Sequence, residues 1–530
     1  MPRVTQRRPN ASIASTIVIA CMSIQLIGGS AAGGSVAGAE PTNAGRVRVG
    51  LAPTTPELID RAVRRGEISE ARGALYLTWA LSSPTRLPEA YVSLTPWSGT
   101  LPLLQLHERL PALGHSPVAA AARRALRGRT FDCPGTRGSL PQSRATNNFY
   151  IQYKRSALRG LSISKYAGAL ERAWAIEIGR FGWAKPPRDP VSYPRGGRYP
   201  VRVEDLGQGL YGYVAGTRFA RNNPSTSWND RDALASCMVL NDDYRIFPGT
   251  PLDALRATAA HEFNHSIQFG YGSLTGFGNV TGVMVEGLAT QMEDEVFDGS
   301  DDSYNYLWPE FTLPMGRYTK LPYPYWVVFR AMTERFGDGR RNGSEAVFQV
   351  FWEQISKGAS TNLAALAKGF KAKGTNLATA YHDASIALRF LVNCSTTLRR
   401  YCLEEGPVYP TGPRINDPSD HAALGPADSL ARQIPNDYAL NWIGLPTGGG
   451  AIDLTVTHDS GAGILRVSVA CLSGSGVTVL PVGTATSSAD AAATVDTGSC
   501  DEATAVISNV KQTSPSPRSI TRTDYTIQTA

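Results

Sequence analysis

Beyond the first 40 residues the chain has no apolar run long enough to cross a bilayer, no Gly-x-Ser-x-Gly elbow and no Gly-Lys-Ser/Thr phosphate loop. The first absence removes a membrane span. The other two weaken serine-hydrolase and nucleotide-dependent readings. A Gly-x-Gly-x-x-Gly run does occur at residues 207–212, but no amphipathic helix follows it, so it is expected to be a turn. Strong charge is missing as well. Charged residues make up 18%, and the net charge of +7 falls to +4 once residues 1–39, with three arginines and no acid, are set aside. No basic stripe with interleaved aromatics appears, so no nucleic-acid partner is expected. What remains is a globular composition, 42% apolar over 530 residues, enough for two or three domains.

The stretch that organises the rest is His261-Glu262-Phe263-Asn264-His265. Thr250 is a helix cap, Pro251 suits the first helical position, and Asp253 completes a short capping box. No proline or glycine follows until Gly270 and Gly272 supply a stop. Residues four apart share a helix face, so His261 and His265 present two imidazoles together, with Glu262 beside them. Two histidines and a glutamate in this spacing suit Zn²⁺ and a carboxylate near the metal's water. A third ligand is needed, and Glu286 opens a second helical stretch after a Gly-rich connection.

His-Glu-Phe-Asn-His followed by Glu286-Gly-Leu-Ala-x-x-x-Glu293 resembles the gluzincin clan of zinc metallopeptidases. The wider context is similar to a group of secreted bacterial metallopeptidases, over roughly residues 56–400. The resemblance implies zinc held by His261, His265 and Glu286, Glu262 as general base, and Tyr323 as an oxyanion donor, with Tyr325 its rival. It also implies an edge strand lining a cleft, for which residues 235–240 are the candidate; a peptide or protein substrate would add to it as a strand. There are two departures. No Gly-x-Met-x-Asn segment occurs, and the position four after Glu286 is Thr290 rather than aspartate. Support for a histidine is then expected from Glu293 or Asp294, unless residues 293–295 are a solvated face. The alternative in a different class is a non-catalytic binding or adhesion protein on a degenerate peptidase scaffold.

The expected fold class is α+β: a zincin-like domain (131–403) of a mixed-sheet lobe and a helical lobe, then a linker (404–436) and a β-sandwich-like domain (437–530). Residues 1–39 read as a signal peptide cleaved after Ala39, with lipoprotein anchoring through Cys21 the lesser alternative; the protein is expected to be secreted. Residues 40–130 form a helical extension, either fixed or an inhibitory pro-segment. Six cysteines remain after the leader, an even count that favours disulfides. Neighbours pair as Cys394–Cys402 and Cys471–Cys500, leaving Cys133–Cys237; the alternative holds Cys133 against zinc. Asp298, Asp301 and Asp302 lack a full Ca²⁺ ligand set and are expected in a solvated loop. Strands are expected at 149–153 and 199–203, with a helix capped by Ser164. Helices are expected at 324–336, 344–357, 361–372 and 376–392.

Overall fold

A computed structural model describes residues 52–126, 140–156, 158–188, 194–230, 232–272, 280–307, 314–316, 322–337, 343–359, 361–395, 397–409, 422–512 and 520–530. The leader with Cys21, and Cys133 with its expected link, lie outside the described residues.

Local signals set the first helices. Thr54 and Glu57 form a reciprocal capping box at the start of α1 (Thr55–Arg64), and Ser69 accepts the Arg72 amide at the start of α2 (Glu70–Ser82). Helices α3 (Thr100–Ala112) and α4 (Pro117–Leu126) follow. Their apolar faces join Leu210, Tyr213, Ala215, Cys237 and Val239 in one buried cluster, so this helical layer covers one face of a sheet.

That sheet consists of β1 (Gln142–Ala145), β2 (Phe149–Tyr153), β3 (Tyr199–Glu204), β4 (Gly212–Arg221) and β5 (Ala233–Asn241). Between β2 and β3 run α5 (Ile163–Trp174), a π-helical continuation (Ala175–Phe181) and the short α6 (Pro194–Gly197). Helix α5 starts behind Ser162, and Ser164 lies inside it rather than capping it. The spatial order is β1-β2-β3-β5-β4, with β2, β3 and β5 parallel and β1 and β4 antiparallel at the two edges. This corrects the expected edge. Residues 235–240 lie in β5, between β3 and β4, with every residue buried; the edge strand on that side is β4. The reason is visible in the unbroken run Ala-Ser-Cys-Met-Val-Leu, which must bury both faces as central parallel strands do.

Helix α7 (Pro251–Tyr271) lies across the other face of this sheet, where Phe263 meets Phe149 edge-on at 5.5 Å. Thr250 caps α7 as expected, and the helix runs through Gly270 to stop at Gly272, which has φ +84°. A Cβ at Gly272 would sit 2.4 Å from the Asp232 carbonyl carbon, so the stop also needs a glycine for close approach. A π-turn (Val283–Gly287) leads into α8 (Leu288–Val296). Then come α9 (Tyr325–Thr333), α10 (Glu345–Ser356), α11 (Asn362–Ala372) and α12 (Leu377–Phe390), at the four expected places.

The C-terminal strands are β6 (Ala422–Ala423), β7 (Ser429–Pro435), β8 (Ala439–Leu445), β9 (Ala451–Ser460), β10 (Leu465–Ser473), β11 (Gly476–Ala485), β12 (Ala491–Asp496), β13 (Glu502–Asn509) and β14 (Arg522–Thr529). They make two sheets, ordered β11-β10-β13-β8-β6 and β12-β9-β14-β7. Pairing is antiparallel except β6 with β8. Strand β7 falls inside the stretch expected to be linker; its outward Ser, Ala, Arg and Gln hide the alternation that marks a strand. The sheet that holds β8 and β13 docks on α12, where the Trp442 indole donates to the Ser385 carbonyl at 3.0 Å and Arg389 donates to Thr504 at 3.1 Å. Disulfides Cys394–Cys402 and Cys471–Cys500 are both formed, as neighbourhood pairing predicts. Among the described residues no helix is long and apolar enough to cross a membrane.

Candidate metal centre

Helix α7 and the π-turn before α8 bring His261, His265 and Glu286 together, with one ligand atom from each lying within 4.8 Å of the others. His261 Nε2 is 3.0 Å from Glu286 Oε2 and 3.0 Å from His265 Nε2; His265 Nε2 is 3.4 Å from the same carboxylate oxygen. The imidazoles cross almost at right angles, 86° apart with centroids at 4.7 Å. All three residues are buried, Glu286 and His265 fully.

The outer nitrogens are committed elsewhere. His261 Nδ1 lies 2.7 Å from Glu293 Oε1. His265 Nδ1 lies 3.0 Å from Gln268 Oε1, and the Gln268 amide nitrogen donates to Asn264 Oδ1 and to the Val285 carbonyl. Gln268 Oε1 must therefore accept, so His265 carries its proton on Nδ1 and turns the Nε2 lone pair inward. The His265 lone pair and the Glu286 carboxylate then both face His261 Nε2 in a buried site, and Glu286 Oε1 has no hydrogen-bond partner. Such an arrangement is stable around a positive charge and repulsive without one. The residues fit a divalent cation, and two nitrogens with one oxygen suit zinc.

The pKa directions agree. Burial opposes a charge on His261, but Glu286 and Glu293 raise its pKa well above the ordinary value. Burial also opposes charge on Glu286, yet the imidazoles of His265 and His261 bring it down to about 2. Burial raises Glu262 above the usual carboxylate range against the pull of both histidines. Carboxylates hold positive charge at this point, whether a proton or a metal supplies it.

Glu262 faces a small cavity lined also by His261, Glu293 and Tyr323, and both of its oxygens are capped. Ser98 Oγ donates to Oε1 at 2.9 Å and Thr100 Oγ1 to Oε2 at 2.8 Å. The Tyr323 hydroxyl lines this cavity and accepts the Ser98 amide at 3.4 Å, with its ring 6.2 Å from that of His261. Its rival Tyr325 is fully buried at the start of α9, against Gly287, outside the cavity lining. The acidic run 293–295 is not a solvated face: Glu293 holds His261, while Asp294 pairs with Arg330.

Sequence reasoning missed several residues here. Asp302, expected in a solvated loop, is buried beside the site, accepts the Tyr211 hydroxyl at 2.9 Å and lines the cavity with Tyr306. Burial, then Glu293, pushes Asp302 up to about 8. Gln268 was legible, lying three residues beyond His265 on one helix face. Ser98 and Thr100 had no local signal, being more than 160 residues from Glu262. Comparison with family models, curated proteins and solved structures finds no match for this chain.

Proposed function

We propose that this chain is a secreted zinc-dependent metallopeptidase, with a peptide or protein as substrate. One observation carries the reading: His261 Nε2, His265 Nε2 and Glu286 Oε2 converge in a buried site, and Glu262 lines the cavity beside His261. Zinc bound by those three residues would supply a Lewis acid and a water acidified toward neutral pH. The rest is the work of side chains. Glu262 takes up a proton at its carboxylate and returns it to the departing amine, and its burial raises basicity toward the working pH. Tyr323 offers its O–H to the carbonyl oxygen as that atom gains charge. Glu293 and Gln268 fix the imidazole orientations, which keeps the Nε2 atoms aimed inward. The two disulfides fit an oxidising, extracellular setting.

The test contrasts two glutamates. Glu262→Gln keeps shape and removes the base, so zinc stays bound while hydrolysis of casein falls by at least about a hundredfold. Glu286→Gln replaces an anionic ligand with an amide, so the protein is recovered metal-poor. Hydrolysis that survives Glu262→Gln, or a chain that takes up no zinc on reconstitution, would refute the assignment. A zinc-loaded chain that cuts no peptide in any form would favour the binding-protein alternative.

A further inference from the structure

Residues 97–100 lie, buried, along residues 209–214, the run that leads into and begins β4, the edge strand of the sheet. Trp97 bridges Leu210 in parallel register: its amide donates to the Gly209 carbonyl at 2.8 Å and its carbonyl accepts the Tyr211 amide at 3.1 Å. The Gly99 amide donates to the Gly212 carbonyl at 2.9 Å, and the Val214 amide donates to Thr100 Oγ1 at 2.8 Å. Four backbone groups of the rim are thus used by the chain itself. They are the groups an added peptide strand would need.

The same short segment closes the chemistry. Ser98 and Thr100 hold both oxygens of Glu262, and the Ser98 amide takes the Tyr323 hydroxyl as its acceptor. The cavity left over measures about 10 Å³, room for roughly one water and none for a peptide. The approach is close at Gly99, where a Cβ would stand 3.1 Å from both Leu210 Cδ1 and Tyr213 Cβ.

Resting on the metallopeptidase reading, we propose that residues 209–214 are the surface that takes an extended peptide, and that residues 97–100 are its built-in occupant, keeping the site latent. Displacement of this segment frees the rim and both oxygens of Glu262 in a single motion. The chain just before it is accessible: Val92 and Leu94 are exposed apolar residues, 42% and 66% open to solvent. A cut there gives residues 95–100 a free end.

The experiment inserts a site-specific protease sequence after Leu94 in the full chain and compares cut with uncut protein. Because Trp97 anchors the segment in the α1–α4 cluster, the cut is also made in a Trp97→Ala background. Cutting should raise casein hydrolysis at least about tenfold at unchanged zinc content. It should also speed hydrogen exchange at the Tyr211 and Val214 amides, while amides in β5 stay protected. A synthetic peptide with the sequence of residues 94–101, added in trans, should restore protection at both amides and suppress hydrolysis. Unchanged exchange in both cut forms overturns the proposal. So does an intact chain that is already fully active, above all one that loses activity on cutting, since Ser98 and Thr100 then serve Glu262 rather than block it. If exchange and peptide re-protection behave as described but no zinc binds, the occupied rim stands and the metallopeptidase reading fails.

Discussion

Two buried histidine sites stand on helices of this chain, and their electrical characters are opposite. His261 on α7 sits between Glu286 and Glu293, and these carboxylates raise its pKa well above the ordinary value despite burial. His382 on α12 sits between two hydroxyls, Ser508 at 3.0 Å from Nδ1 and Ser468 at 2.9 Å from Nε2. Burial, helped by Arg466, brings it down to about 3. Both rings are buried and both have both nitrogens engaged. Neither burial nor helical placement separates them; the charge of the partners does. Neutral hydroxyls satisfy a neutral imidazole and fasten their sheet to α12, whereas carboxylates demand a cation.

The contrast should be sharpest at the Tyr323 hydroxyl, which lines the cavity of the proposed metal centre. Tyr323→Phe removes one donor to the oxyanion without touching a ligand, so turnover should fall by roughly ten- to a thousandfold with zinc retained. Steady-state kinetics with metal analysis checks it, and near-normal turnover would return the role to another donor. A smaller effect is expected one shell out. Glu293→Gln keeps a hydrogen-bonding partner for His261 Nδ1 but removes its charge, so zinc affinity should weaken by about ten- to a hundredfold. Competition against a zinc-binding dye measures that shift. Unaltered affinity would mean the histidine is oriented without Glu293.

Much of this site was legible because its first layer is local. His261, Glu262 and His265 are set by helix spacing alone, and the cap at Thr250 marks the start of α7 within one turn of sequence. Glu286 was readable as the next acid in a helical stretch. What was not legible came from strand order and from contacts made across the fold. Residues 235–240 were assigned to an edge although their run, apolar but for Ser236, belongs to a central strand, and β4, with Arg and Thr among its residues, is the real edge. Asp302 reads as one more acid of a loop until the short helix Asp301–Tyr306 turns it inward to Tyr211. The segment at residues 97–100 carries no local signal. Its meaning appears only where it meets β4 and Glu262.

The smallest effect is expected at the second histidine, and it tests the comparison by pH. His382 has a folded pKa near 3 against an ordinary 6.5, so the unfolded chain takes up its proton first as pH falls. The neutral ring's stabilisation is complete above about pH 6.5 and is lost progressively as pH drops toward about 3, with a slope of at most about 1.4 kcal/mol per pH unit. Asp383 next to it is also shifted, raised by burial and partly restored by Arg335. A difference measurement removes its share. His382→Gln can still donate to one serine and accept from the other, but it does not titrate. Urea unfolding at pH 7 and pH 5 should therefore show a smaller loss of stability in the variant than in the parent. Equal losses would mean that His382 is protonated in the fold as readily as in the unfolded chain, and the contrast between the two histidine sites would collapse.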